Sequence, residues 1–358
     1  MSVLEARDLL VEFRQRGGGS LRAVDHVSFA LEKGETLALV GESGSGKSTV
    51  VRALGRLQKL TSGAVLLDGE PAGRHGRALH AYRKRVQLIF QDPFASLNPM
   101  HTVRHHLARP LLRLHPGASR PALDEMVSDL LESVNLTPAA EVARKHPHEL
   151  SGGQRQRVAI ARALASAPDA LLADEPVSML DVSIRLEILN LLDRLKRERN
   201  LALLYVTHDL ATARHFSSQI MVMYRGEIVE RGPADEVILR SSHPYTQLLA
   251  SAAPSPGTPR DQLKAARRLR EAARAAAASA PPAAGTPASG GTVSGGAVSG
   301  GTAAERRELL VDEGCRFRPR CPHAMDTCAT RPPDALVGED HHALCWLHDA
   351  ASKPVTAG

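Results

Sequence analysis

Aromatic side chains are scarce. Six Phe, four Tyr and one Trp make up 3% of 358 residues. That removes the interleaved aromatic and basic stretches on which nucleic-acid bases stack. Long basic runs are absent too. The net charge of +6 comes from scattered arginines and points to no nucleic-acid or anionic-membrane partner. No apolar run approaches the roughly 18–20 residues of a membrane span, and Met1–Arg7 lacks the charged-then-apolar pattern of a signal peptide. The expectation is a cytosolic protein able to dock on a membrane protein. Cysteine is missing until Cys315, then occurs four times, at Cys315, Cys321, Cys328 and Cys345. In a reducing compartment such clustering reads as metal ligation before disulfides. With 43% hydrophobic residues the chain has room for one large domain and an extra module.

What is present centres on Gly41-Glu42-Ser43-Gly44-Ser45-Gly46-Lys47-Ser48-Thr49. An apolar run, Thr36–Val40, precedes it as a buried strand, and Val50–Leu54 continues it as a helix. Strand, Gly-rich turn and helix are the setting of a phosphate-binding loop. The glycines let backbone N–H groups converge on a phosphate chain, and the helix N-terminus adds partial positive charge. Lys47 reaches the β- and γ-phosphates, and the Ser48 hydroxyl is a Mg²⁺ ligand.

Other polar groups recur at strand ends. Val86–Phe90 is an apolar strand closing on Gln91-Asp92-Pro93. Ala170–Ala173 closes on Asp174-Glu175, the pairing in which one carboxylate holds Mg²⁺ and the next acts on water. Leu201–Val206 closes on Thr207-His208-Asp209. Three strands ending in polar groups favour one shared site. Leu150-Ser151-Gly152-Gly153-Gln154 precedes a helix-forming run, with Ser151 as a natural N-cap and two glycines opening an anion-binding helix end. Asp181 stands before a helix whose apolar face is Ile184, Ile188, Leu191 and Leu195. Thr102–Leu114 and Pro121–Val134 have helical period. Upstream, Leu9–Phe13 and Ala23–Phe29 flank a Gly-rich hairpin tip at Gly17–Ser20. Phe13 either stacks on an adenine or is core. Ile220–Tyr224 and Glu227–Glu230 read as a terminal hairpin, and Ala234–Leu239 and His243–Ala252 as helices. From Pro254 to Ala304 the composition is Ala, Gly, Ser, Pro and Thr. Lys264–Arg274 reads as transiently helical, and Gly285–Gly301 as flexible linker.

In this order the motifs resemble the full series of an ATP-binding cassette (ABC) nucleotide-binding domain over residues 1 to 252. A narrower resemblance is carried by Phe90–Pro99, His243-Pro244-Tyr245-Thr246 and Gly314-Cys315-Arg316-Phe317-Arg318-Pro319-Arg320-Cys321-Pro322. These look like the oligopeptide/dipeptide importer ATPases, a group that includes nickel and glutathione importers. The resemblance implies an α/β P-loop NTPase of ABC type. Its parts would be a RecA-like parallel-sheet core, an N-terminal antiparallel β subdomain and a helical subdomain at about 95–165. A low-complexity linker (253–304) and a small cysteine module (305–350) would follow. It further implies an ATPase on the cytoplasmic face of the membrane. Its partners would be two transmembrane permease subunits, a second ABC ATPase (identical chain or paralogue) and, through the complex, an extracytoplasmic binding protein.

The residue roles implied are these. Phe13 stacks on adenine. Gly41, Ser43, Gly44, Ser45, Gly46, Lys47, Ser48, Thr49 and Asp174 bind ATP, and Mg²⁺ is held through Ser48, Gln91 and Asp174. Glu175 is the general base, Gln91 senses the γ-phosphate and contacts the permease, and His208 holds the γ-phosphate. Ser151, Gly152, Gly153 and Gln154 act in trans on the partner's ATP, beside the dimer contact Asp181. Val177 and Met179 depart from the wider family's Thr and Ala without touching a catalytic atom. A cassette acting on ribosomes or DNA is the competing class. Such proteins usually carry two cassettes or long coiled-coil insertions, which this chain does not have.

The cysteines are spaced C-x₅-C-x₆-C-x₁₆-C in a segment too small for its own core, where a staple is expected. Zinc is one candidate, with His323, His341, His342 and His348 as further ligands. The missing C-x₂₋₄-C knuckle and the wide spacings suit a larger centre. The family resemblance favours [4Fe–4S].

Overall fold

The computed structural model describes residues 2–14, 19–252, 271 and 314–349. The expected linker at 253–304, Glu271 aside, and the first part of the cysteine module at 305–313 lie outside them. So do the helical reading of Lys264–Arg274, again excepting Glu271, and the flexible Gly285–Gly301.

The chain enters through two long strands, β1 (Ser2–Arg14) and β2 (Ser20–Glu32), antiparallel and interrupted by bulges. With β4 (Ser62–Leu67) and β5 (Glu70–Pro71) they make a four-stranded sheet ordered β2-β1-β4-β5. The second sheet carries the site. Five of its strands are parallel neighbours in the order β9-β3-β8-β7-β6: β9 (Gln219–Tyr224), β3 (Thr36–Val40), β8 (Ala202–Thr207), β7 (Ala170–Asp174) and β6 (Val86–Ile89). All residues of β7 and β8 are buried, as expected of parallel strands covered on both faces.

Alternation divides that sheet's side chains between two cores. Ala38, Val40, Leu171, Ala173, Leu203 and Tyr205 face one side, where they join side chains of the helical subdomain. Leu39, Leu172, Leu204 and Val206 face the other, against α1 (Lys47–Leu54) and the four-stranded sheet. The helical subdomain comprises α3 (Pro93–Ser96), α4 (Val103–Leu114), α5 (Arg120–Ser133), α6 (Ala139–Arg144) and α7 (Gly152–Leu164). Thr102 and Ser119 cap α4 and α5 by accepting from His105 and Ala122 N–H. Between β5 and β6 lies α2 (Gly76–Arg85), which buries only Tyr82; with no apolar stripe, its periodicity is silent in the sequence. The rest of the cassette is α8 (Val182–Arg199), α9 (Leu210–Phe216), β10 (Glu227–Pro233), α10 (Ala234–Leu239) and α11 (Pro244–Ala252).

The β9–β10 hairpin is not terminal, a correction to the reading above. The far edge of β10 pairs with β12 (His341–Leu344), which pairs with β11 (Asp334–Gly338), so the cysteine module completes the main sheet. The sequence contains no signal for this join, because β11 and β12 are short strands at the chain's far end. A buried carboxylate fixes it. Glu230 accepts from Ser242 N–H (2.7 Å) and His243 N–H (3.0 Å) and is 2.8 Å from His341 Nε2. Removing one partner of such a buried group typically costs about 3–5 kcal/mol.

His243 is buried beside it, its Nδ1 accepting from Tyr245 N–H at 3.0 Å. Burial, with His348 nearby, pushes its pKa down to about 3. The unfolded chain therefore takes up a proton from pH 6.5 downward while the folded chain does not. This group's contribution is complete above about pH 6.5 and is lost toward pH 3 at ~1.4 kcal/mol per pH unit. His243→Asn keeps an acceptor for Tyr245 and cannot titrate. Denaturant midpoints measured from pH 7 to pH 4 are expected to fall less steeply in that variant; parallel slopes would refute this.

Candidate active site

The carboxyl ends of β3, β8, β7 and β6 lie side by side, so the residues that follow each strand converge. After β3 the loop Gly41–Gly46 turns into α1. Gly44 and Gly46 take left-handed φ of 81° and 110°. A Cβ on Gly46 would sit 2.2 Å from the Ala23 carbonyl, and one on Gly41 would sit 2.2 Å from that of Met223. Only glycine fits these two close approaches. Lys47 is buried, and its Nζ donates to the carbonyls of Gly41 (2.8 Å) and Glu42 (2.9 Å). Burial lowers its pKa, opposed by the charges of Glu175, Asp174 and Glu42. Ser45 Oγ is buried with no hydrogen-bond partner, an acceptor or donor waiting within the loop. Ser43 and Gly44 are exposed at its rim, and Thr49 is half-buried on the first turn of α1.

Ser48 Oγ donates to Asp174 Oδ1 at 3.1 Å. Burial raises the Asp174 pKa, and the Ser48 hydrogen bond opposes the rise. Two hard oxygen donors at the loop's edge fit a Mg²⁺ ion. Glu175 follows with a positive φ of 45°, held by its N–H to the Val206 carbonyl (3.0 Å) and by Ser178 Oγ on its own carbonyl (3.1 Å). A non-glycine residue there is strained, and such strain concentrates at working sites. Gln91 Nε2 donates to Glu175 Oε2 at 3.2 Å, and His208 Nδ1 lies 3.4 Å from the same oxygen. The structure thus brings Gln91, Glu175 and His208 together. The amide of Gln91 is engaged with Glu175 and not with the Ser48–Asp174 pair.

Phe13 is 38% exposed near the end of β1, which removes the core alternative. Ser151 and Gln154 form a reciprocal capping box at the start of α7: Gln154 N–H donates to Ser151 Oγ (3.2 Å) and Ser151 N–H to Gln154 Oε1 (3.0 Å). Gly152 is half-buried, and Gly153 is buried where a Cβ would meet Ile184 at 2.8 Å, so it also lets α7 and α8 approach. Asp181 is exposed at the start of α8, beside the exposed apolar Met179, Val182 and Leu186.

The four cysteines are free thiols within one module. Cys328 Sγ accepts from Met325 N–H at 3.5 Å. Burial pushes Cys315, Cys321 and Cys345 up to about 11, opposed by backbone N–H groups of Phe317, His323 and Leu347. Each of those three is also raised by the charge of at least one other cysteine. Among the described residues, however, no group of three or more His, Cys, Asp or Glu side chains has the placement of a metal site. The expected metal geometry is therefore not met, and His341, a named alternative ligand, is engaged with Glu230.

Sequence reasoning missed three residues at the phosphate loop. Glu42 N–H donates to Tyr245 Oη at 2.9 Å, and its carboxylate takes two bonds from Arg320, at 2.9 and 3.0 Å. Tyr245 lies within His243–Thr246 and Arg320 within Gly314–Pro322, but nothing local tells which distant residue they meet.

Residues 24–178 match the family model described as ABC transporter, and residues 229–281 and 294–328 match that of the oligopeptide/dipeptide transporter, C-terminal region. The oligopeptide transport ATP-binding protein OppF of Escherichia coli is 40% identical over 355 residues, 96% of each chain. A probable peptide ABC transporter ATP-binding protein of Sinorhizobium fredii is 40% identical over 90% of this chain and 82% of its own. Among solved structures, a dimeric ATP-binding cassette bound to ADP and Pi is 31% identical, with a TM-score of 0.59. The match spans 64% of this chain and 98% of that one.

Proposed function

The chain belongs to the ABC transporter family, and on that premise we propose that it is the ATP-hydrolysing subunit of an importer of oligopeptides or dipeptides. The observation that carries the chemistry is the convergence of Gln91 and His208 on Glu175, the residue that follows Asp174. Lys47 and the loop amides hold the ATP phosphates, with the unpartnered Ser45 hydroxyl available to them. Ser48 and Asp174 would hold Mg²⁺, which offsets phosphate charge when bound. Glu175 takes the proton of a water whose oxygen bonds to the γ-phosphorus as the bond to ADP breaks. Gln91 and His208 fix the carboxylate and the γ-phosphate relative to each other. Phe13, exposed near the end of β1, offers a face to adenine.

Ser151, exposed at the N-terminus of α7 where the helix end favours an anion, supports action on the ATP of a second cassette, identical or paralogous. Asp181, with the exposed Met179, Val182 and Leu186, supports the contact between the two. Permease subunits and a binding protein complete the assembly, and the chain sits at the cytoplasmic face of the membrane. None of the described helices is long and apolar enough to cross it. A glutathione importer is the second reading, because glutathione import proteins are 46–47% identical to 70% of this chain. The test is uptake by the reconstituted complex. Peptide-dependent ATPase activity supports the first reading; uptake of glutathione alone, or of nickel alone, replaces it.

For Cys315, Cys321, Cys328 and Cys345 we propose a structural metal-thiolate centre, [4Fe–4S] before zinc. What supports it is that all four are free thiols of one small module, Cys328 Sγ already taking a hydrogen bond from Met325 N–H. The thiols must converge when it loads. Anaerobic purification is expected to give iron and sulfide in near-equal amounts. One zinc without sulfide would replace the cluster, and no metal would dismiss the centre.

A further inference from the structure

Three of the eleven aromatic side chains meet a histidine in one place. Tyr224, Tyr245, Phe317 and His243 pack with ring centroids 4.5–5.8 Å apart, joining β9, the start of α11 and the cysteine module. Tyr245 and Phe317 are almost fully buried, and the Arg320 guanidinium lies 5.8 Å from the Tyr224 ring and 5.7 Å from that of Phe317. This platform ends on the phosphate loop.

Two connections run from it. The first is direct. Glu42 is held at its carboxylate by Arg320 and at its N–H by Tyr245, while its carbonyl accepts from Lys47 Nζ. One residue thus ties the cysteine module to the lysine that grips phosphate. The second passes through the β9–β10 turn. Arg316 bonds Asp25 and the Arg225 carbonyl and lies 3.4 Å from Glu227, and the next residue, Gly226, donates its N–H to the Ser45 carbonyl at 2.8 Å.

We propose that Arg320 and Tyr245 are positioning residues for ATP binding, acting through Glu42 on the carbonyl that orients Lys47. The Arg320–Glu42 pair is part-exposed, with side chains 30% and 40% accessible. Such pairs contribute only ~0–1 kcal/mol to folding, so losing it leaves the fold intact. What it supplies is geometry: the planar guanidinium fixes the carboxylate by two parallel bonds. Burial of Tyr245 holds its hydroxyl on the Glu42 N–H.

The proposal rests on the reading of Gly41–Thr49 as the ATP site. Its test uses the full chain in its complex. The measurements are KM for ATP, kcat, ATP affinity and melting temperature for Arg320→Ala, Glu42→Ala, the double variant, Tyr245→Phe and Arg320→Lys. Arg331→Ala, which removes an exposed partner of Glu227 in the same module, is the control. Arg320→Ala and Glu42→Ala are each expected to raise KM about threefold to tenfold, with kcat within about twofold. The double variant is expected to be no worse than either single, Tyr245→Phe to shift KM in the same direction, and Arg320→Lys to restore part of the loss. Arg331→Ala is expected to match the wild type. An unchanged KM in Arg320→Ala, whether or not melting shifts, would overturn the proposal. So would additive losses in the double variant. A wild-type complex that binds no ATP would defeat the reading of the site itself and the proposal with it.

Discussion

Glu175→Gln is expected to bind ATP within about twofold of wild type while its turnover falls on the order of 10²–10⁴-fold, the range set by removing a positioned general base. The substitution is nearly isosteric and keeps an oxygen that can accept from Gln91 Nε2, so the convergence at this position survives in shape. What is lost is proton affinity. The positive φ at Glu175 and its two backbone tethers are side-chain independent and remain. His208, 3.4 Å away and well exposed, is the rival base. If His208 took the proton, His208→Ala would show the large loss and the Glu175→Gln variant would keep substantial activity. Single-turnover phosphate release and nucleotide retention by the complex decide between them. Near-wild-type release by Glu175→Gln refutes the assignment.

The second large effect is expected at Gly46→Ala. The new methyl would lie 2.2 Å from the Ala23 carbonyl and 2.8 Å from the Met223 side chain, at a φ of 110°. The methionine can swing aside; the β2 backbone cannot. The loop must therefore leave its cradle, which displaces the N-terminus of α1 and Lys47 with it. Losing the phosphate cradle is expected to weaken ATP binding by more than about 100-fold, since several charge-assisted bonds of ~1.5–3 kcal/mol each depend on it. Gly44→Ala is the internal comparison. Its φ is also left-handed, at 81°, but a Cβ there meets nothing within 4 Å, so only the dihedral penalty of ~1–2 kcal/mol applies. Titration with Mg·ATP is expected to rank Gly46→Ala far below Gly44→Ala. Equal affinities would mean that the contact with Ala23 does not shape the loop.

Much of this site was legible because its parts are local. Gly41–Thr49 declares itself by spacing, and β6, β7 and β8 are apolar runs that each stop at a polar residue, as parallel strands with sites at their carboxyl ends do. The Ser151–Gln154 capping box is likewise a four-residue pattern. Phe13 was ambiguous because a strand phenylalanine serves either as core or as platform, and only exposure separates them. The legible part ended where contacts became distant. Glu42 occupies a freely variable place in the loop motif, and nothing near it in sequence names Arg320 or Tyr245. Polar α2 and short β11 and β12 lack the apolar period that betrays an element. The four cysteines were conspicuous by type and spacing, yet those features do not fix how the thiols are aimed.

The main sheet is closed by a strand that arrives roughly a hundred residues after the partner it pairs with, a separation that makes the closure entropically slow. Chains fold from the N-terminus as they are made, so the cassette collapses first with β10 as an open edge. That edge stays unpaired until residues 334–344 arrive, and with them His341 joins the Ser242 and His243 N–H groups on the Glu230 carboxylate. A chain cut short before β12 therefore presents β10 as an unpaired edge, open to pairing with another chain. With β12 and β11 in place the edge passes from seven-residue β10 to five-residue β11, so the late pairing exchanges a longer exposed edge for a shorter one.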